Sequence, residues 1–196
     1  MIELSAVPIM PTEKPIGTGG FLDPQMIVEQ FGIKEGMNIV DFGSGAGYFT
    51  IFVAKKTGPE GKVFALDILE RALDSVMAKA RAESIENIET IRTNLEIPKG
   101  SSLPNNSQDI VLLANILFQS KMKSSIVKEG ERILKKNGKL IIIDWKKGAG
   151  GFGPPDDLRS EVREIEAIAK EENLIREIVL NTGQFHFGLI FKKQQG

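Results

Sequence analysis

The sequence contains no cysteine and a single histidine, His186, among its 196 residues. The absence of cysteine excludes disulfide bonds, thiolate metal sites and a cysteine nucleophile, and one histidine excludes any site that needs two imidazoles. No apolar run approaches the roughly 20 residues that a membrane-spanning helix needs. The first residues also lack the basic and apolar regions of a signal peptide. We therefore expect a cytoplasmic protein with no membrane span and no metal site.

Neither sign of charge is in excess. The chain has 25 Lys and Arg against 26 Asp and Glu, which disfavours general binding to nucleic acid. Locally, residues 121–147 hold nine basic against three acidic side chains, and residues 156–177 hold eight acidic against four basic. Because no aromatic residue interleaves with the basic stretch before Trp145, a solvated helix face explains it better than RNA contact. Nucleic acid is an open but unfavoured partner, and the oligomeric state is open.

The chain length and its 41% content of hydrophobic residues are typical of one globular domain. Residues 1–20 contain three prolines and three glycines, a composition that opposes regular structure. We predict a flexible segment or lid over residues 1–20 and a single domain over residues 21–196.

Beyond residue 20, apolar runs alternate with amphipathic helical segments. This alternation is typical of parallel strands that are buried on both faces and joined by right-handed crossovers. The predicted fold class is α/β, with a doubly wound, Rossmann-like sheet. The predicted strands are 38–42, 62–66, 87–92, 109–114 and 139–144, and the predicted helices are 24–31, 48–56, 69–83 and 123–136.

The last third of the sequence departs from this alternation. A glycine-rich loop over 148–155 precedes a predicted amphipathic helix over 156–172, with Leu158 on its buried face. Two further strands, 175–180 and 184–192, follow with a gap too short for a crossover helix. The sheet is therefore predicted to reach seven strands and to end in an antiparallel hairpin.

The strongest local signal is the segment VDFGSGAGYFT at residues 40–50. Gly43, Gly45 and Gly47 fall at the turn from the first strand into a helix, where glycine lets the backbone approach a ligand closely. In an open α/β sheet, ligands bind beyond the carboxyl ends of the strands. The spacing does not match the dinucleotide pattern G-x-G-x-x-G, because Tyr48 occupies the third position, and no segment matches a P-loop. The pattern therefore predicts a nucleotide-like ligand without the usual phosphate-binding loop, which disfavours a nicotinamide dehydrogenase.

Two carboxylates accompany this loop. Asp67 ends the second strand, 20 residues after Gly47, where it could accept hydrogen bonds from both hydroxyls of a ribose or cap a helix. Asp41 lies inside the first strand, where an unpaired charge is costly. It could orient the loop amides, face a cationic ligand or organise the loop structurally.

These segments resemble the class I S-adenosylmethionine (SAM)-dependent methyltransferases, in particular the small-molecule group related to the ubiquinone/menaquinone methyltransferases. The resemblance covers residues 21–147 in the order and spacing of that family, and the last strand, QFHFGLIFKK, is also similar to many members. It implies a seven-stranded sheet and SAM as the cofactor. The segments that carry it are VDFGSGAGYFT (40–50), ALDI (65–68), SQDIVLLANILF (107–118) and ILKKNGKLIIIDW (133–145).

The resemblance also implies which residues bind the cofactor. Asn94 and Leu95 stand where the family often has an Asp-Ala pair beside the adenine amino group. The implied set is Asp41, Gly43, Ser44, Gly45 and Gly47 at the methionine part, Asp67 at the ribose, Ile68, Asn94 and Leu95 at the adenine, and Ala114 and Asn115 near the sulfonium.

The acceptor side carries no strong motif. Methyl transfer from a sulfonium is an in-line displacement, so the protein mainly positions the acceptor and excludes water, and a base is needed only when a proton must leave. Asp144 is a candidate base if it faces the crevice, and a hydrogen-bonded turn residue otherwise. His186 is a second candidate base or an ordinary core residue, and Tyr48 and Phe21 could line the acceptor pocket.

The sequence therefore predicts a SAM-dependent methyltransferase that acts on a small molecule. An RNA or protein methyltransferase, and a non-catalytic SAM-binding or scaffold protein, are the alternatives. Residues 1–20 and 148–155 are both placed to act as lids over the crevice.

Overall fold

The computed structural model of the chain describes residues 22–194. The predicted flexible segment or lid at residues 1–20, and Phe21, lie outside the described residues. Within them the chain forms seven strands, in close agreement with the prediction. The strands are β1 (Asn38–Phe42), β2 (Lys62–Asp67), β3 (Ile88–Arg92), β4 (Gln108–Ala114), β5 (Leu134–Trp145), β6 (Leu174–Val179) and β7 (His186–Lys193).

All seven strands belong to one sheet, in the order β3-β2-β1-β4-β5-β7-β6. Strands β1 to β5 pair in parallel, whereas β7 is antiparallel to both β5 and β6. The Rossmann-like α/β class and the antiparallel end of the sheet are thereby confirmed. The order places the carboxyl ends of β1, β2 and β4 side by side.

Helices cover both faces of the sheet. The helices are α1 (Pro24–Val28), α2 (Thr50–Thr57), α3 (Glu70–Ala82), α4 (Lys123–Ile133) and α5 (Val162–Glu171). Side chains of α1, α2 and α3 pack in one apolar cluster, and those of α4 and α5 pack in the other. No helix between residues 22 and 194 is both long and apolar enough to cross a membrane.

The continuous apolar run in β5 reflects this double coverage. Ile141 and Ile143 belong to the cluster beneath α1, α2 and α3, whereas Leu140 and Ile142 belong to the cluster beneath α4 and α5. Successive side chains point to opposite faces of a strand, so a strand buried on both faces must be apolar at every position.

The predicted start of α1 is confirmed in detail. The Asp23 side chain accepts a hydrogen bond from the backbone N–H of Met26 at 3.3 Å, and Pro24 occupies the first turn, where it has no intrahelical N–H to lose. A 3-10 turn, Glu29–Phe31, extends the helix up to Gly32, which adopts the left-handed conformation with φ +68°.

Helix α4 ends earlier than predicted. Residues 134–136 were expected to be helical, but Leu134 begins β5 and pairs with Gln108. The Lys193 ammonium, from the far end of the chain, donates to the carbonyl oxygens of Glu131 and Leu134, both at 2.9 Å. Strand pairing and this long-range bond override the local helical pattern.

The helix predicted over 156–172 is wrong in its first third. A 3-10 turn, Asp156–Leu158, comes first, and α5 begins only at Val162. Leu158, predicted to be inward, is 50% exposed. The backbone at Arg159 is extended, with φ −69° and ψ 143°, and the next two residues after Leu158, Arg159 and Ser160, are buried in its place.

Arg159 holds the glycine-rich loop in place. Its guanidinium donates to the carbonyl oxygens of Lys146 at 3.1 Å, Gly150 at 3.0 Å, Phe152 at 2.5 Å and Pro154 at 3.0 Å. A planar guanidinium presents five donors in a fixed geometry, and few other side chains could serve four carbonyls at once. The loop over 148–155 is therefore a fixed part of this structure.

We expect Arg159→Ala to release this loop while the sheet stays folded. Loss of a buried cation with four hydrogen bonds should cost about 2–4 kcal/mol of unfolding free energy, measured by chemical denaturation. Limited proteolysis with mass-spectrometric mapping should show faster cleavage within residues 148–155. Arg163→Ala, which removes an exposed arginine of α5, is the matched control, and equal cleavage in both variants would refute this role.

Candidate functional site

A cavity of about 540 Å³ opens at the carboxyl ends of β1, β2 and β4. This is where open parallel sheets bind their ligands, and the volume is typical of a small-molecule site. Every residue predicted to bind the cofactor lines it except Gly47. They are Asp41, Gly43, Ser44, Gly45, Asp67, Ile68, Asn94, Leu95, Ala114 and Asn115.

A larger depression of about 910 Å³ lies at the opposite edge of the sheet. It is lined by the residues that open β1 and β2, Asn38 and Lys62, and by the turn around Pro59. It contains none of the predicted site residues, and the amino ends of parallel strands are not where α/β folds bind ligands. The smaller cavity is the candidate site.

Backbone hydrogen bonds fix the glycine loop against β2. The N–H groups of Gly43 and Ser44 both donate to the carbonyl oxygen of Leu66, at 2.7 and 2.9 Å. The Gly45 N–H donates to the Asp67 carboxylate at 2.9 Å. The loop and Asp67 are therefore held as one unit at the cavity wall.

Asp67 also begins the turn into α3. Its second oxygen accepts from the Leu69 N–H at 2.9 Å, a bond to the residue two positions on that is typical of an Asx turn. Each carboxylate oxygen accepts more than one hydrogen bond. Asp67 therefore keeps the capacity to accept from a ligand at the cavity.

Two glycines of the loop serve different purposes. Gly43 has φ +69°, a conformation that strains other residues, and a β-carbon there would lie 2.6 Å from Cδ1 of Ile116, which would have to move. Gly47 does not line the cavity. It is buried against α3, with its β-carbon position 3.1 Å from Cγ2 of Val76. Gly47 thus packs the loop on α3, and its role at the cofactor stays a prediction.

Asp41 lies beneath the loop and is only 2% exposed. Its carboxylate accepts a hydrogen bond from the Thr50 hydroxyl at 2.6 Å. Burial raises the pKa of Asp41 to about 7; the Thr50 hydrogen bond opposes this rise and the charge of Asp67 adds to it. Asp41 therefore changes charge near neutral pH, directly under the candidate site.

Two polar atoms of the cavity wall lack partners. The Ser44 hydroxyl and the Asn115 side-chain oxygen are buried, and neither has a hydrogen-bond partner within residues 22–194. Leaving a buried polar group unsatisfied costs about 1–3 kcal/mol. Asn115 also has φ +56°, and its N–H donates to the Ile143 carbonyl at 2.8 Å. Both residues line the cavity, so a polar group of a bound ligand could satisfy either atom.

The cavity rim includes a contact that the sequence did not reveal. The Ser120 hydroxyl donates to the Glu96 carboxylate at 2.6 Å and accepts from the Met122 N–H at 2.8 Å. This bond joins the loop after β3 to the loop after β4. Its partners carry no motif and lie far apart in the chain, so only the fold brings them together.

Asp144, for which the sequence left open a candidate base or a hydrogen-bonded turn residue, does not line the 540 Å³ cavity. It is fully buried, and its two oxygens accept from the N–H groups of Phe118 at 2.9 Å and Trp145 at 2.8 Å. Burial raises its pKa to about 6. These contacts agree with the hydrogen-bonded alternative, although Asp144 lies near the end of β5 and not in a turn. Its side chain points to the opposite face from that of Trp145.

His186 pairs with Trp145 across β7 and β5. The ring centroids lie 4.1 Å apart, and His186 is 5% exposed. Burial, together with the nearby charge of Arg159, lowers the pKa of His186 to about 4. The imidazole is therefore neutral at pH 7, and it does not line the 540 Å³ cavity.

The elevated pKa of Asp41 predicts a pH-dependent stability. An unfolded Asp ionises near 3.8 and the folded one near 7, so the folded state binds the extra proton between these values. The contribution of Asp41 to the unfolding free energy is fully present below pH 4 and falls as the pH rises. Above pH 7 it is lost, which lowers the unfolding free energy by up to about 4 kcal/mol. The unfolding free energy of Asp41→Asn minus that of wild type should therefore rise from pH 4 to 7 and then level off. A difference that stays flat across this range would contradict the prediction.

Comparison with known proteins also indicates a methyltransferase. The profile of a family described as "Methyltransferase domain" matches residues 33–195. The demethylmenaquinone methyltransferase of Listeria welshimeri is 32% identical over 113 residues, which make up 57% of this chain and 46% of that protein. The chain thus spans about half the length of the curated relatives it matches.

Solved structures share the fold. A SAM-dependent methyltransferase from Aquifex aeolicus matches with a TM-score of 0.79 and 29% identity, over 88% of this chain and 90% of that one. The [4+2]-cyclase SpnF matches with a TM-score of 0.74 over 88% and 80%, but at 14% identity this likeness concerns the fold alone. Since the family profile covers most of the sequence, the chain belongs to the methyltransferase-domain family.

Proposed function

We propose that the chain binds SAM in the 540 Å³ cavity and transfers its methyl group to a small planar molecule of the hydroxy-aromatic or quinol type. The observation that carries the proposal is the convergence on one cavity of the fixed glycine loop, the Asp67 carboxylate and two unpartnered polar atoms. Family membership and the Aquifex aeolicus structure support it.

The residues present fit the parts of SAM. Asp67 offers a carboxylate for the ribose hydroxyls, and Ile68 and Leu69, which are 56% and 48% exposed, offer an apolar surface for the adenine. Asn94 and Leu95 line the same end of the cavity.

Polar groups also line the cavity beside the glycine loop. There the unpartnered Ser44 hydroxyl and Asn115 oxygen could bond to the amino-acid part of the cofactor. Asp41 lies beneath the loop, where a nearby ammonium group would favour its ionised form. A ligand with separate diol, aromatic and zwitterionic parts suits this distribution.

When bound, SAM supplies a methyl group that is already activated on its sulfonium sulfur. The chain's contribution is then positional, because in-line displacement needs the acceptor atom held in line with the methyl group and water excluded. Gly43 to Gly45 and Asp67 would orient the donor, and Ala114 and Asn115 at the end of β4 would flank the point of transfer.

The acceptor class rests on the relatives and on the charged surface. The Listeria welshimeri relative is named for demethylmenaquinone, a quinone. Four of the nine basic side chains in the stretch 121–147, which would favour RNA, are engaged in ion pairs within the protein. Ion pairs form between Lys123 and Glu164, Arg132 and Glu129, Lys135 and Asp109, and Lys147 and Glu161.

Asp67→Ala should abolish SAM binding. We expect the wild type to bind SAM with a micromolar Kd and the variant to bind at least about 100-fold more weakly, because two charge-assisted hydrogen bonds are lost. Isothermal titration calorimetry measures the Kd of both proteins, and NAD serves as a ligand that should not bind. Asp74→Ala on the exposed surface of α3 is the control, and a wild type that gives no heat with SAM would refute the proposed function.

Methyl transfer itself can be assigned to an acceptor class. Labelled SAM is incubated with the protein and separated small-molecule, RNA and protein fractions of a bacterial lysate, and in parallel with 1,4-naphthohydroquinone. We expect label in the small-molecule fraction and in the naphthohydroquinone product. Label confined to RNA or protein would overturn the acceptor class and leave the SAM site intact.

A further inference from the structure

Strands β5 and β7 place two aromatic side chains at the carboxyl edge of the sheet, beyond the candidate SAM cavity. Trp145 and His186 are cross-strand partners, so their side chains share one face. Ile143, two residues before Trp145, belongs to the cluster beneath α1, α2 and α3. Because side chains alternate along a strand, Trp145 and His186 also lie on that face.

One residue of the SAM cavity lies on the same face. Ala114, which lines the cavity, pairs with Ile143 and packs against the same cluster. His186 lies two strands across from Ala114 and two residues beyond it, which corresponds to about 12 Å between the α-carbons. This span is comparable to the length of a bicyclic aromatic molecule placed beside the methyl donor.

The His186 imidazole has unmet hydrogen-bonding capacity. Both ring nitrogens are buried and neither has a partner within residues 22–194. A neutral imidazole carries one donor and one acceptor, and leaving them unpaired opposes folding. Its low pKa makes it a poor base, so its chemistry here is hydrogen bonding to a neutral polar group.

The surroundings hold both rings in fixed positions. The Thr182 hydroxyl donates to the carbonyl oxygen of His186 at 2.9 Å. On the other strand, the Arg159 guanidinium lies 5.7 Å from the Trp145 ring centre. A β-carbon at Gly153 would come within 2.4 Å of the same ring, so the loop held by Arg159 presses directly on Trp145.

We infer that Trp145 and His186 form the acceptor-recognition subsite, in which His186 hydrogen-bonds to a hydroxyl group of a planar aromatic acceptor whose ring packs beside Trp145. This inference rests on the proposed function and identifies His186 as the residue that recognises the acceptor. Arg159 is a positioning residue in this subsite, because it acts on Trp145 through the loop.

The single tryptophan and single histidine of the sequence make the test direct. In untagged, ¹⁵N-labelled protein, the one indole N–H signal reports on Trp145. The protein is titrated with 1-naphthol and with naphthalene, both free and saturated with S-adenosylhomocysteine. We expect the Trp145 signal to shift with 1-naphthol, and 1-naphthol to bind about tenfold more tightly than naphthalene, the worth of one hydrogen bond.

His186→Phe keeps an aromatic ring and removes both nitrogens. It should lose the preference for 1-naphthol, retain the Kd for S-adenosylhomocysteine, and be no less stable than wild type, because two unsatisfied groups are removed. His186→Gln restores a donor and an acceptor and should recover part of the preference. Gln184→Ala, an exposed position on the same turn, should behave as wild type.

Three outcomes would overturn the inference: a Trp145 signal that 1-naphthol does not move, no preference for the hydroxyl in wild type, or an unchanged preference in His186→Phe. Failure of the proposed function gives a different result. In that case S-adenosylhomocysteine and SAM do not bind, while the titration of the free protein still decides the role of His186.

Discussion

The pair of hydrogen bonds from Gly43 and Ser44 to the Leu66 carbonyl is the contact on which the site depends. It ties the end of β1 to the end of β2 and fixes the direction in which the chain turns into α2. Asp67 follows Leu66 directly, so the same contact sets its carboxylate against the Gly45 N–H. Without it, neither the cavity nor its acidic wall would have a defined shape.

A second set of hydrogen bonds shapes the site on the other side of β1. The Asn115 N–H donates to Ile143, and the Phe118 N–H donates to Asp144. These contacts fold the segment after β4 back over the edge of the sheet. Asp144 thus shapes the site as a buried acceptor for backbone groups, although it does not face the cavity.

Several groups that cost stability lie at this one edge, although Gln108 at the opposite end of β4 also has a buried side-chain oxygen without a partner in the described chain. Asp41 is a buried carboxyl with a raised pKa, and Ser44, Asn115 and His186 carry buried polar atoms without partners in the described chain. The middle of the sheet is an apolar core with continuous clusters on both faces. Proteins keep such costly groups mainly at the places where they bind ligands and react. For this reason we place both the SAM site and the acceptor subsite at this edge.

Four features could be predicted from the sequence alone: the alternation of strands and helices, the buried apolar runs, the glycine turn and the acidic residue after β2. These features are local, because the side-chain periods of 2 and 3.6 and the turn residues act over a few positions. The tertiary structure decided that α4 stops at Ile133, that Arg159 holds a distant loop, that Gly47 packs on α3, and that Glu96 meets Ser120. Each of these depends on strand register and on contacts between residues far apart in the chain, which no local pattern encodes.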